Sequence, residues 1–415
     1  MKTLFWFTNI PFSNSSINST GSWMSSMGQA ILEYGGFRLA CISQAKVKSV
    51  VRNDCGPIKQ WLVPYESLTR NGLPSQQTVT AIQRAVEEVR PDIIHVWGTE
   101  NYWGLLTARE LLPGPSILDM QGIKYACAAV FYGGLTLAER IRCIGPLEIL
   151  RPGSALFSKK RAFEKWGKFE KEMLSKHKYI SVQSDWVNAH VKSVNSKCTI
   201  FKTGILLREE FADASSWLPP VNQYTSAPQV FTYSAGSTSY KGLHVLLRAI
   251  AILKEKYPGI KLNIGGSLIR RGIRKSGYSR WLLGEARRLG IEKNIHWTGP
   301  LDVYGIIKQF RLASAVVIPS FVETYCLALA ETMTVGVPSV VSYAGALPEL
   351  ARHEESALFF PTGDHTMCAW QLDRLLSDPS LVCRLSHNAR QIALQRNNKT
   401  SVLKQQLEIY DSVLG

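Results

Sequence analysis

Short apolar runs alternate with helical patterns along this chain, and they do so twice, on either side of one Pro- and Ser-rich stretch. Such alternation restricts the fold to parallel sheets covered by helices, because each return to a parallel strand needs a long crossover. In the first half, residues 4–7 and 39–43 read as strands, with a helix over 28–34 between them. Residues 78–89 carry apolar positions at helical spacing until Pro91 stops the pattern, and 92–97 and 116–120 then read as buried strands. Residues 179–182 and 197–201 complete a first sheet. The segment 218–228, Leu-Pro-Pro-Val-Asn-Gln-Tyr-Thr-Ser-Ala-Pro, has no apolar period and reads as the interdomain linker. A second run follows, with strands at 230–234, 261–264, 294–297, 315–318 and 339–342, a helix over 243–254, and a terminal helical segment over 402–414.

A chain of 415 residues is too long for one core, so two domains of roughly 200 residues each are expected. The division expected is 1–215, 216–397 and a terminal helix over 398–415. No apolar stretch approaches the roughly 18 residues that span a bilayer. The opening Met1-Lys-Thr-Leu-Phe-Trp-Phe-Thr8 has a short apolar run without a small-residue cleavage site, and reads as a first strand rather than a leader. Eight cysteines without ligand spacing fit reduced thiols in a cytoplasmic protein and argue against zinc.

The net charge of +16 is unevenly placed: between Arg140 and Lys178 stand eleven Lys and Arg against four Glu, interleaved with Ile141, Ile144, Leu147, Ile149, Leu150, Phe157, Phe163, Trp166 and Phe169. A basic amphipathic stretch of this kind can lie on an anionic membrane surface or form a solvated helix face. No recognisable nucleic-acid module accompanies the charge, so nucleic acid is not expected as a partner.

The chemistry concentrates in Ser320-Phe-Val-Glu-Thr-Tyr-Cys-Leu-Ala-Leu-Ala-Glu-Thr-Met333. Glu323 lies just past the strand tip Ala315-Val-Val-Ile-Pro319, and Glu331 lies about two turns into the helix that follows. Between them, the amides of Thr324, Tyr325, Cys326 and Leu327 fall at a helix start, where the dipole favours an anion. Two acids bracketing an anion cradle suit a ligand with hydroxyls at both ends and phosphates between, as in a nucleotide-sugar.

With Gly336-Val-Pro-Ser-Val340 behind it and Pro361-Thr-Gly-Asp364 further on, this stretch resembles the donor half of the family 4 (group 1) retaining glycosyltransferases of the GT-B fold. The resemblance implies two Rossmann-like, doubly wound α/β domains facing a cleft, with the C-terminal helix crossing back to the N-domain. By that likeness Glu323 would accept hydrogen bonds from sugar hydroxyls, and Glu331 would hold the nucleotide ribose. Lys241, in Ser234-Ala-Gly-Ser-Thr-Ser-Tyr-Lys-Gly-Leu-His244, would reach the pyrophosphate and offset charge on the departing phosphate. The family usually has an Arg five residues before this Lys; here that place holds Gly236, or Ser237 if one gap is allowed. The second cation is therefore missing or supplied elsewhere. Arg270, Arg271, Arg274 and Lys275 can lend one, or face membrane or acceptor instead. Thr298-Gly-Pro-Leu301 resembles the base-binding turn, and Gly21, in a Ser/Asn/Gly-rich first loop, resembles the glycine loop that approaches the donor phosphates.

On the acceptor side, Gln121 stands where many members carry a histidine. A glutamine cannot be a general base, so the resemblance implies a front-face retaining route in which the leaving phosphate takes the acceptor proton. The acceptor-side candidates are His95, at a strand end, where a core or supporting place competes with a direct role, and Glu100, one step beyond it. No metal and no cofactor are expected, the nucleotide diphosphate-sugar being a substrate. The expected activity is hexosyl transfer to a growing, lipid-linked glycan in cell-surface polysaccharide biosynthesis, by a cytoplasmic enzyme at the inner membrane face. A GT-B epimerase or phosphorylase, or a weakly catalytic partner of another transferase, are the competing readings.

Overall fold

The computed structural model describes residues 1–13, 22–220, 227–233, 238–266 and 276–415. The chain divides into two compact units: Met1–Tyr125, Glu164–Arg208 and Asn397–Gly415 form the first, and Ala126–Phe163 with Glu209–Arg396 form the second.

Among the described residues of the first unit, strands β1 (Lys2–Thr8), β2 (Phe37–Ala45), β3 (Val51–Arg52), β4 (Lys59–Pro64), β5 (Ile93–Trp97), β6 (Ser116–Asp119), β7 (Tyr179–Val182) and β8 (Thr199–Lys202) build one sheet. Its order is β3-β4-β2-β1-β5-β6-β7-β8, parallel apart from the short β3–β4 pair. The central strands read as continuous apolar runs because helices cover both faces; Leu4, Phe5, Trp6 and Phe7 of β1 are fully buried. In the second unit, β9 (Gln229–Thr232), β10 (Lys261–Gly265), β11 (Ile295–Gly299), β12 (Ala315–Ile318), β13 (Ser339–Ser342) and β14 (Leu358–Phe360) form an all-parallel sheet in the order β11-β10-β9-β12-β13-β14. Both orders reverse direction beside the first strand of the sheet, β1 or β9, and ligands of open α/β sheets bind at the carboxyl ends of strands at such points.

The terminal helix Lys399–Leu414 belongs to the first unit. Tyr410 Oη lies 3.1 Å from Trp6 Nε1 and 2.8 Å from His95 Nδ1, and Gln405 Oε1 accepts from Gly204 N–H at 3.0 Å. Ser184 caps the helix Asp185–Val194, accepting from Val187 N–H at 3.2 Å.

Two expectations about organisation are corrected. The division between units falls at Arg208/Glu209, ahead of the Pro-rich stretch. Trp217 is already tied into the second unit, its backbone N–H on Val335 O at 2.9 Å and its indole N–H on Ala313 O at 3.0 Å. Residues 126–163, expected in the first domain, also belong to the second unit. The basic stretch is accordingly no single amphipathic helix: it comprises the short helices Leu137–Arg142 and Pro146–Leu150, a turn at Pro152–Ser154, and the long helix Leu156–Lys176. Pro146 and Pro152 set those breaks, since neither can donate to a preceding helical carbonyl. No helix among the described residues is long and apolar enough to cross a membrane.

Candidate active site

Glu323 follows β12, on the loop Pro319–Cys326 that leads into the helix Leu327–Val335. Its carboxylate is buried and accepts two hydrogen bonds at Oε1, from Ser320 Oγ at 2.6 Å and from Lys241 Nζ at 2.6 Å. The loop is anchored behind it, because Ser342 Oγ donates to Ser320 O at 2.5 Å and Ala346 N–H donates to Glu323 O at 2.9 Å. Gly345 makes the second contact possible: its φ is +55°, and a Cβ there would lie 2.1 Å from Glu323 O.

Lys241 comes from the turn Ser239–Lys241 after β9. Phe321 N–H donates to Tyr240 O at 2.8 Å, which ties the turn to the loop after β12. Burial opposes the charge on Lys241, but the Glu323 carboxylate outweighs it and holds the ammonium pKa above its ordinary value. The lysine therefore stays charged across the neutral range. One of its three N–H donors serves Glu323, and the side chain keeps about a quarter of its surface exposed.

The helix Leu327–Val335 begins beside this pair and is buried along its length from Ala328 to Val335. Its N-cap, Cys326, has φ +86°, a backbone region that costs a non-glycine residue about 1–3 kcal/mol. Such strain at a helix mouth aims successive amides to one side, the geometry that binds anions. Glu331 lies four residues along the helix, roughly 6 Å further on by helical rise. Tyr233 Oη, directly after β9, donates to Glu331 Oε2 at 2.5 Å and lies 3.3 Å from Ala328 O. Leu301 is half-buried at the entry to the helix Val303–Leu312, where Asp302 caps Gly305 N–H at 2.7 Å. The second unit thus gathers Lys241, Glu323, Glu331, Leu301 and the 324–327 segment at the carboxyl ends of its strands. Gly236 and Ser237, with Arg270, Arg271, Arg274 and Lys275, lie outside the described residues.

Sequence reasoning missed Tyr233 and Ser320, which orient the two acids. The available signal was their place: each sits one or two residues past the end of a parallel strand, where open α/β sheets bind ligands.

In the first unit, Glu100 and Gln121 come together after β5 and β6. Gly98 lies between them at φ +101°; a Cβ on it would stand 2.2 Å from Glu100 Oε2 and 3.4 Å from Gln121 Cδ. Gln121 is half-buried, with Nε2 4.0 Å from Met24 Sδ. Burial raises the Glu100 carboxyl above its usual range, and Oε2 has no hydrogen-bond partner among the described residues. Gly21 lies outside the described residues. His95 does not join this group. It is fully buried in β5, stacked on Trp97 with ring centroids 3.9 Å apart and bonded to Tyr410. Burial pushes its pKa down to about 3, so it is a neutral core side chain that holds the terminal helix. The strand-end expectation for His95 is corrected: it is the middle residue of Ile93–Trp97, whose five residues are all buried.

Asp119 at the end of β6 is buried and accepts from Ser181 Oγ at 2.5 Å and Gln183 Nε2 at 3.0 Å; burial raises it to about 7. The raised value means the folded state binds more protons than the unfolded one between about pH 4 and pH 7, so this group's contribution falls as pH rises through that window. An Asp119→Asn variant removes the titration. Relative to wild type it gains about 1–3 kcal/mol across the window, read from melting curves at several pH values; a pH-independent difference refutes the assignment.

Residues 220–392 match the family model of Glycosyl transferases group 1, a span that contains Tyr233, Lys241, Leu301, Ser320, Glu323 and Glu331. A D-inositol 3-phosphate glycosyltransferase from Corynebacterium urealyticum is 31% identical over 175 residues, covering 42% of this chain and 40% of that protein. Across the first such relatives the match spans 40% to 44% of their length. Among solved structures, sucrose-phosphate synthase from Thermosynechococcus elongatus superposes with a TM-score of 0.73 at 15% identity, covering 100% of this chain and 99% of that one. Anabaena HepE, solved in complex with UDP and glucose, superposes with a TM-score of 0.67 at 14% identity, covering 99% and 100%. The fold is that of GT-B glycosyltransferases, as the resemblance implied.

Proposed function

We propose that this protein is a retaining, metal-independent glycosyltransferase that moves a hexose from a nucleotide diphosphate-sugar to a glycan acceptor. The observation that carries the reading is the Lys241–Glu323 pair, 2.6 Å apart at the mouth of the helix Leu327–Val335, with Glu331 further along the same helix. Breaking a glycosyl–phosphate bond leaves charge on the departing phosphate. An ammonium and a helix N-terminus, fixed in advance, stabilise that charge where it develops. Glu323, held by Ser320 and Lys241, presents its carboxylate to sugar hydroxyls, while Glu331, oriented by Tyr233, takes the ribose hydroxyls. Leu301 borders the base. On the acceptor side Gln121 hydrogen-bonds the sugar and Glu100 meets the acceptor; neither needs to take a proton, because the leaving phosphate does. The group 1 match over 220–392 supports the activity, and the UDP and glucose held by a structural neighbour support the donor class. The acceptor is a lipid-linked glycan of cell-surface polysaccharide synthesis, and the basic segment 140–178 holds the enzyme at the cytoplasmic membrane face.

A thermal-shift screen of nucleotide-sugars tests this. A true donor at about 100 times its Kd stabilises the folded protein by about 2.7 kcal/mol, whereas free sugars leave the transition in place. Transfer that requires added Mg²⁺ and disappears with chelator overturns the metal-independent route. No stabilisation by any nucleotide-sugar overturns the donor assignment itself.

A further inference from the structure

Residues 137–157 present an apolar ridge that nothing in the second unit covers. Leu137, Ile141, Ile144, Ile149, Leu150 and Phe157 are between 47% and 71% exposed, a density of large exposed apolar side chains that recurs nowhere else among the described residues. Solvated segments seldom expose so many large apolar side chains within so short a stretch unless something docks there.

The inner face of the same segment is rigidly seated. Ser239 Oγ donates to Phe131 O at 2.5 Å, and His244 Nε2 lies 2.8 Å from Gly133 O. Glu139 pairs with Arg248 at 2.5 Å. Glu148 accepts from Gly277 N–H at 2.8 Å and from Arg280 Nη2 at 3.2 Å. Even a Cβ has no room at this seam, since one on Gly277 would fall 1.5 Å from Cys143 O. Glu139 and Glu148 are the only acids between residues 137 and 161, and both are turned inward and paired. What remains outside is apolar or cationic: the ridge itself, edged by exposed Arg142, Arg151 and Arg161, with Lys159 and Lys160 half-exposed.

We propose that residues 137–157 are a membrane-inserting element whose partner is an anionic phospholipid bilayer. The apolar side chains enter the boundary between headgroups and acyl chains, and the flanking cations meet lipid phosphates. Charge argues against a second copy of the chain, because an isologous contact would set Arg142, Arg151 and Arg161 against their own counterparts. The proposal rests on the membrane-facing reading above and sharpens it: the contact is insertion by 137–157, not electrostatic adsorption of the helix running to residue 176.

Sedimentation of the full chain with vesicles of phosphatidylcholine, with and without phosphatidylglycerol, decides the matter without any sugar donor, so its outcome is separate from that of the transfer reading. The wild type sediments with phosphatidylglycerol vesicles at about 0.1 M salt and keeps much of that binding at about 1 M salt, where the Debye length shrinks to about 3 Å. Ile149→Ser with Leu150→Ser weakens partitioning about tenfold or more and leaves the melting midpoint unchanged, while Trp370→Ser, at an exposed site elsewhere in the unit, has no effect. Unaltered binding of the double variant overturns insertion. So does binding that vanishes at high salt, which assigns the contact to charge alone. A lipid-free dimer that the double variant abolishes assigns the ridge to a second copy, and absence of vesicle binding by the wild type ends the membrane reading as well.

Discussion

Lys241→Met lowers turnover about a hundredfold to a thousandfold, measured as nucleoside diphosphate released from whichever donor stabilises the protein. The size follows from the role proposed: the ammonium lies where charge accumulates as the phosphate leaves, in a site only a quarter open to water. The same substitution strips Glu323 of its cation and leaves Ser320 Oγ as its remaining side-chain donor among the described contacts. A loss of about 1–3 kcal/mol in stability therefore accompanies the single variant, discounted for the exposure of the lysine. Adding Glu323→Gln separates the two effects. Glutamine still accepts from Ser320 but needs no counter-charge, so the double variant recovers most of the lost stability and none of the lost turnover. A single variant with near-wild-type rates removes Lys241 from the chemistry. A double variant that regains activity makes the pair a structural one.

Much of this site was legible in the sequence, for a physical reason. Strands buried on both faces are continuous apolar runs, and Tyr179–Val182, Ala315–Ile318 and Ser339–Ser342 stand where those runs lie. Once the strands are fixed, the loops at their carboxyl ends are fixed too, and Lys241 and Glu323 fall on two of them. Elements that break the pattern escaped notice. β4 carries a buried glutamine, Gln60, whose amide is satisfied by Phe12 O and Asn53 O, so its run of apolar residues is interrupted. β14 has three residues, too few to show a period. Residues 126–163 follow the first unit's strands in sequence yet belong to the second unit, because the contacts that decide this are non-local. His244 on Gly133 and Arg248 on Glu139 bridge more than a hundred residues of sequence. His95, expected at a strand end, is instead the middle residue of β5, and its partner Tyr410 lies 315 residues away, beyond the reach of any local pattern.

Gly242→Ala destabilises the second unit by about 3–5 kcal/mol, seen as a lowered melting transition, because two independent constraints fall on one Cα. Its φ is +73°, a left-handed conformation that alanine adopts only with strain. Space is the harder constraint: an added Cβ would lie 1.8 Å from Pro319 O and 2.7 Å from Pro319 C, backbone atoms at the tip of β12 that cannot rotate away. Relief requires the turn Ser239–Lys241 to lift from that tip, which breaks the Phe321 N–H bond to Tyr240 O and draws Lys241 from Glu323. Donor binding should therefore weaken together with stability. Gly284→Ala supplies the contrast, since Gly284 sits in the helix Gly277–Arg288 with nothing within 4 Å of the added atom. There alanine is expected to stabilise by up to about 1 kcal/mol through helix propensity. Equal melting of the two variants would mean that the turn carrying the lysine does not rest on the strand tip, and the pairing of Lys241 with Glu323 would lose its structural cause.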